Sequence, residues 1–104
     1  RGTVGMLAAL RDPLVARALR HLHADPARHW TVDELAREAG SSRTVIAERF
    51  NAVLGKPPIE YLTGWRIQTA AERLRSSDDS LSQVAEAIGY DSEASFSRAF
   101  KRTM

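Results

Sequence analysis

The sequence of 104 residues contains no cysteine, which excludes a disulfide framework, a thiol nucleophile and cysteine-ligated zinc or iron–sulfur sites. It has no apolar run of about 18 residues, so no membrane span is expected, and its first residues do not resemble a secretory signal. His21, His23 and His29 lack the i, i+3 or i, i+4 spacing of helical zinc ligands, so no metal is expected. No catalytic motif or glycine-rich phosphate loop is present, which predicts neither an enzyme nor a cofactor.

The sequence also lacks a large excess of either positive or negative charge. Fifteen Lys and Arg residues against thirteen Asp and Glu residues leave a net charge of only +2, so bulk charge does not identify nucleic acid as the partner. Only Lys56 and Lys101 are lysine, and the other cations are arginine, whose forked N–H groups suit phosphate and guanine. A GC-rich genome would produce the same bias, so composition leaves both explanations open.

Helix signals run along the whole chain, and no window shows the sustained alternation of a strand, so the fold is predicted to be all-α. The length fits a single domain with one modest core. The predicted helix starts are marked by capping residues or proline: Asp12-Pro13, Thr31, Ser42, Pro57-Pro58, Ser80 and Ser92. In the longest of these helices the apolar face is expected to contact the helices on both sides through Ile67, Ala70, Ala71 and Leu74.

The chain also contains an internal repeat. Residues of the same chemistry recur 49 positions apart, as Thr31, Leu35, Ala36 and Gly40, then Ser80, Val84, Ala85 and Gly89. The following helix recurs 50 positions apart, as Ser42, Ile46 and Phe50, then Ser92, Phe96 and Phe100. The second copy therefore has one extra residue, within Tyr90-Asp91. Two copies of one helix–turn–helix unit explain this pattern better than a solenoid, which usually needs three or more repeats.

The residues that carry a family resemblance lie in both copies and between them. They are Leu35-Ala36, Ala39-Gly40, Phe50, the glycine, proline and tyrosine spacing of residues 55–61, Trp65-Arg66-Ile67, Val84-Ala85, Ile88-Gly89-Tyr90, Ser95-Phe96-Ser97-Arg98 and Phe100-Lys101. This layout resembles the DNA-binding domain of the AraC/XylS family of bacterial transcription regulators over residues 13–104.

The resemblance implies a homeodomain-like fold of about seven helices, with a first unit at residues 12–55, a linker helix at 57–76 and a second unit at 80–104. It implies double-stranded DNA as the partner, with the two recognition helices in successive major grooves, and RNA polymerase as a further partner. It also implies a cytoplasmic regulator, commonly an activator, whose effector-sensing or dimerising domain lies N-terminal to Arg1. Residues 1–11 are then linker, and the family normally continues beyond Met104 with a second segment like 55–61.

The candidate DNA-binding residues lie on the exposed sides of the two predicted recognition helices. In the first copy they are Ser42, Arg43, Thr44, Ala47 and Glu48, and in the second Glu93, Ala94, Ser95, Ser97 and Arg98, followed by Lys101 and Arg102. Arg98 aligns with an arginine that the family uses at the DNA surface. Its alternative is an ion pair with Glu93 or Asp91.

Two further questions stay open at this point. Arg66 on the linker helix suits either a DNA phosphate or buried hydrogen bonds between the units. A helical protein-interaction module that never meets DNA is the alternative function, because the net charge is low and Glu48 and Glu93 are acidic. Salt dependence separates the two functions, since DNA binding weakens steeply with salt.

Overall fold

A computed structural model describes Ala9 and residues 11–103. This part of the chain forms six α-helices and no strand, which confirms the all-α prediction. They are α1 (Pro13–Ala24), α2 (Val32–Ala39), α3 (Arg43–Leu54), α4 (Pro58–Ser76), α5 (Leu81–Ala87) and α6 (Glu93–Thr103). The expected total of about seven helices is not tested, because residues 1–8, 10 and 104 lie outside the described part. The predicted linker at residues 1–11 likewise lies outside it, except for Ala9 and Arg11.

The chain divides into two compact units. The first contains residues 1–25 and 30–62, and the second contains residues 26–29 and 63–104. The short segment 26–29, which connects α1 to α2 along the chain, therefore belongs to the second unit. Helix α4 passes from the first unit into the second at Leu62 and Thr63 without a break in its 19 residues.

The core of the first unit is built from three helices together with Leu62 of α4. Its buried side chains are Val15, Ala18, Leu19 and Leu22 of α1, Leu35, Ala36 and Ala39 of α2, and Ile46 and Phe50 of α3. Trp30 is also buried, and its indole N–H donates to the Asp25 carbonyl at 3.0 Å. These side chains recur every three or four residues, so each helix presents one apolar face to the other two.

Tyr61 forms a polar contact at the edge of this first core. Its hydroxyl lies 2.7 Å from His23 Nε2, and its ring packs edge-on against Phe50. Burial raises the pKa of Tyr61 to about 12 and lowers the pKa of His23 below its ordinary value. Both shifts favour the uncharged forms, as expected for a hydrogen-bonded pair shielded from water.

The second unit has its own core, made from α4, α5 and α6, so the prediction of one core for the whole chain is wrong. Its buried members are Ile67, Ala70, Val84, Ala85, Ile88, Phe96 and Ala99, with Leu81, Tyr90 and Phe100 packed against them. The expectation for Leu74 is wrong, since this side chain is 37% exposed. Leu74 lies in the last turn of α4, beyond the stretch where Ile67 and Ala70 reach the core.

A glycine follows the first helix of each repeat, and the reason why glycine is needed there differs between the two copies. Gly40 and Gly89 both have positive φ, of 76° and 99°, where other residues are strained. A Cβ on Gly40 would meet nothing within 4 Å, whereas a Cβ on Gly89 would lie 2.9 Å from the Cα of Ala27. Gly89 is therefore required for both its conformation and the close approach of the 26–29 backbone.

Gly40→Ala is expected to lower the free energy of unfolding by about 1 kcal/mol, from backbone strain alone. Gly89→Ala adds a clash with backbone, and its loss is expected to reach about 3 kcal/mol. Gly64→Ala is the control, because Gly64 lies within α4 with open space at its Cβ position; it should gain about 0.5–1 kcal/mol. Urea unfolding followed by circular dichroism measures all three. Equal losses for Gly40→Ala and Gly89→Ala would contradict the packing role of Gly89.

Candidate nucleic-acid interface

The two helix–turn–helix units share their backbone hydrogen bonds as well as their sequence pattern. Thr31 and Ser80 each accept from the backbone N–H three residues later, at 3.1 Å in both copies, and both capping boxes are complete. The N–H groups of Ser41 and Tyr90 donate to the Ala36 and Ala85 carbonyls at 2.8 and 2.9 Å. The repeat seen in the sequence is thus a repeat of local geometry, which satisfies the end groups of both short helices in the same way.

This correspondence also locates the residue by which the copies differ. Gly40 and Ser41 match Gly89 and Tyr90 through the hydrogen bonds just described. Ser42 then matches Ser92, since each serine Oγ accepts from the N–H three residues on, at 3.2 and 3.1 Å. The extra residue of the second turn is therefore Asp91, which is exposed.

The predicted residues of the first recognition helix, α3, lie together on its outer side. Ser42, Arg43, Thr44 and Glu48 are exposed, and Ala47 is partly buried. Arg43 lies 3.7 Å from Asp33, but the two side chains are 68% and 62% exposed. An ion pair so open to solvent contributes little, so it would not hold Arg43 away from another anion.

Sequence reasoning missed two residues of α3. Val45 is 41% exposed and follows Thr44, where its methyl groups could contact a thymine methyl. The sequence held one indication of this, because Val45 is apolar but does not fit the helical spacing of the buried residues Ile46 and Phe50. Arg49 donates from Nε to Asp12 Oδ2 at 2.8 Å. No sequence signal pointed to this pair, because 37 positions separate its members.

The buried carboxylate of Asp12 joins the start of α1 to α3. Its Oδ1 accepts from the N–H groups of Leu14 and Val15 at 3.1 and 3.2 Å, while its Oδ2 accepts from Arg49. Burial raises the pKa of Asp12, but these hydrogen bonds and the Arg49 charge outweigh it and hold the pKa below its ordinary value. Asp12 therefore caps α1 and anchors the recognition helix of the same unit.

The predicted residues of the second recognition helix, α6, also share one surface. Glu93, Ala94, Arg98, Lys101 and Arg102 are exposed, and Ser95 and Ser97 are partly buried. Arg98 Nη2 lies 3.4 Å from Ser95 Oγ. Within residues 11–103 it forms no ion pair with Glu93 or Asp91, the alternative role considered above. Arg98 is thus a cation at the surface of α6 without a carboxylate partner in the described chain.

Arg66 has a different position from the residues on the recognition helices. Its half-buried guanidinium donates from Nε to the Pro26 carbonyl and from Nη2 to the Arg28 carbonyl, both at 2.7 Å. Burial lowers the pKa of Arg66, and the nearby Tyr90 partly opposes this. These bonds hold the segment 26–29 within the second unit. They favour a structural role for Arg66 over the phosphate contact considered from the sequence.

The repeated caps, glycine turns and exposed second helices define a duplicated helix–turn–helix domain. Comparison with known proteins agrees: residues 35–104 match the family model described as a helix-turn-helix domain. The chain is 52% identical over 100 residues to a putative AraC-like transcription regulator of Streptomyces lividans, covering 96% of this chain and 33% of the relative. The chain belongs to the AraC/XylS family of helix–turn–helix domains.

Solved structures show the same fold. The C-terminal domain of AraT, a response regulator from Geobacillus stearothermophilus, is similar with a TM-score of 0.82 and 31% identity, covering 89% of this chain and 78% of that one. The DNA-binding domain of the global transcriptional factor AdpA, in complex with a target DNA, is similar with a TM-score of 0.79 and 29% identity, covering 89% and 83%. The chain spans about a third of the length of its curated relatives. None of the described helices is both long and apolar enough to cross a membrane.

Replacing Asp12 separates its two contacts. Asp12→Ser keeps an oxygen that can cap α1 but loses the Arg49 pair, and should lower the free energy of unfolding by about 1 kcal/mol; Asp12→Ala also loses the cap and should cost about 2 kcal/mol. Because the pKa of Asp12 is depressed in the folded state, its contribution is present above the ordinary value of 3.8 and is lost as pH falls below it. Urea unfolding at a series of pH values measures this.

The control is Asp78→Ser, which removes an exposed carboxylate in the turn before α5. It should change stability by no more than about 0.5 kcal/mol. A difference between wild type and Asp12→Ser that stays constant from pH 7 down to pH 3 would show that the ion pair with Arg49 does not stabilise the unit.

Proposed function

We propose that this domain binds double-stranded DNA with sequence specificity, as the DNA-reading part of a transcription regulator. The observation that carries the proposal is the duplicated geometry: two helix–turn–helix units with matching caps and turns, each followed by a helix with an exposed polar side. In such units the second helix enters the major groove, and its N-terminal residues face the base edges. The AdpA domain, which has the same fold, is seen in complex with a target DNA.

The two units contribute unequally in this proposal. Arg98 on α6 has the forked donors that match guanine O6 and N7, and the neighbouring Lys101 and Arg102 can bind phosphates. On α3 the corresponding surface offers Arg43 and Thr44, while Ala47 presents only a methyl group and Glu48 would be repelled by phosphate. The second unit is therefore the main source of sequence specificity, and the first mainly positions the protein.

The proposed site is a double one, with two sequence blocks about 10 bp apart on one face of the DNA. Regulation of transcription would follow from this binding, with activation through RNA polymerase as its common form. Effector sensing or dimerisation is assigned to other parts of a longer polypeptide, as the length of the relatives suggests. No enzymatic step is part of the proposal, which places the protein in the cytoplasm with DNA.

Selection from random double-stranded DNA is expected to recover a two-block motif, with the block read by α6 the better defined. Arg98→Ala should relax that block and cost about tenfold in affinity for the selected DNA, because a good bidentate contact to guanine contributes about 1–3 kcal/mol of discrimination. Titrations at several salt concentrations measure affinity and its salt dependence together.

Arg20→Ala is the matched control, because Arg20 is exposed on α1 and lies outside both recognition helices. It should leave the motif unchanged. If selection enriches no motif and the chain binds all DNA weakly or not at all, the DNA-reading function is wrong and the protein-interaction alternative gains. A single enriched block lost in Arg98→Ala would restrict specificity to the second unit.

A further inference from the structure

A polar cleft of about 350 Å³ lies beside α6 in the second unit. Its lining comes from three parts of that unit: the segment 26–29, the turn between α5 and α6, and the helix α6. The lining residues are His29, Gly89, Tyr90, Asp91, Ser95, Arg98 and Arg102. Two arginines and a histidine thus converge on one cleft, and the side chains of all three are exposed. Such a set of donors is suited to an anion with several acceptor oxygens.

The segment that supplies His29 is fixed in place by contacts with α4 and with the turn after α5. Arg66 donates two hydrogen bonds of 2.7 Å to its carbonyls, at Pro26 and Arg28. Gly89 allows the Ala27 backbone to approach to a distance that any Cβ would block. Together these contacts hold the segment against the turn that precedes α6. His29 is therefore presented at the cleft by a preorganised backbone.

We propose that a backbone phosphate of bound DNA enters this cleft and accepts hydrogen bonds from His29 and Arg102, which leaves Arg98 to read bases. The inference rests on the proposed DNA binding and assigns the segment 26–29 to the second DNA-contacting surface. Arg98 and Arg102 are four residues apart on α6 and so lie on one side of the helix. Arg98 is nearer the N-terminal end of α6, the end that faces base edges in a recognition helix. The cleft has room for a phosphodiester group and bridging water.

The carboxylate of Asp91 is expected to repel a phosphate in the cleft. Its removal therefore tests the proposal through an increase in affinity for DNA. Asp91 is the extra residue of the second turn, it lines the cleft, and it forms no ion pair within the described residues. A carboxylate near a bound phosphate costs free energy through repulsion between like charges. Its removal should therefore strengthen binding to every DNA sequence, since phosphate contacts carry no sequence information.

The experiment measures affinity of the whole chain for its selected DNA and for an unrelated duplex, at several salt concentrations. Arg102→Ala should weaken binding to both duplexes by a similar factor and reduce the steepness of the salt dependence by about 0.9, the value for one phosphate contact. His29→Ala should cost about tenfold on both duplexes, as for a lost hydrogen bond to a charged group, and His29→Gln should recover part of the loss because it keeps an N–H donor.

Asp91→Asn should improve affinity about fivefold on both duplexes, which is the effect of relieving about 1 kcal/mol of repulsion. A misfolded variant could not give this result. Asp78→Asn is the control, because it makes the same change in net charge at an exposed site outside the cleft; it should leave affinity within about twofold. Arg20→Ala is the corresponding control for Arg102→Ala.

The outcomes distinguish this inference from the proposed function. If the wild-type chain binds no DNA, both are wrong. If it binds its target and His29→Ala, Arg102→Ala and Asp91→Asn all match their controls, DNA binding stands and the phosphate assignment is overturned. The other possible ligand of the cleft is free phosphate. To test this, inorganic phosphate is titrated at constant ionic strength while the His29 ring is followed by NMR. A shift of that ring without any effect of the variants on DNA affinity would assign the cleft to free phosphate instead.

Discussion

The sharp turn after each short helix is the constraint on which the rest of the structure depends. A recognition helix can face outward only if the chain reverses within a few residues, and a glycine with positive φ makes that reversal possible at low cost. Gly40 and Gly89 provide it, and the hydrogen bonds around them satisfy the carbonyls at the ends of α2 and α5. The small residues Ala36 and Ala85, four positions before these glycines, are buried.

The copies differ in the length of this turn, and the difference has chemical consequences. After the shared glycine, the first copy passes directly from Ser41 to Ser42, whereas the second inserts Asp91 between Tyr90 and Ser92. Tyr90 packs edge-on against Phe96 at 5.7 Å between ring centroids, so the turn of the second copy is joined to its core. The longer turn also forms part of the cleft beside α6. A one-residue insertion thus distinguishes the turns of two units whose N-terminal caps are alike.

The features that could be predicted from the sequence are those that depend on residues near one another in the chain. Thr31, Ser42, Ser80 and Ser92 act within three positions of themselves, so their caps and the helix starts could be read directly and were confirmed. The exposed sides of α3 and α6 followed from the burial of every third or fourth residue. Contacts over long separations could not be read this way. Asp12 with Arg49, and Arg66 with the carbonyls of segment 26–29, join positions 37 to 40 residues apart.

Contacts that arginines make within the fold also limit what the net charge says about function. Several arginines are committed to the fold: Arg17 donates to the Ala39 carbonyl, Arg49 pairs with Asp12, Arg66 holds segment 26–29, and Arg73 pairs with Asp79. Within the described residues, Arg98, Lys101 and Arg102 on α6 form no ion pair.

Three cations without an ion pair therefore lie close together on α6, although the whole chain carries a net charge of only +2. For an electrostatic partner such as DNA, the local field of that helix and its cleft decides binding, because salt screens charges more than about 10 Å away. A GC-rich genome can account for the number of arginines, but it does not account for this distribution.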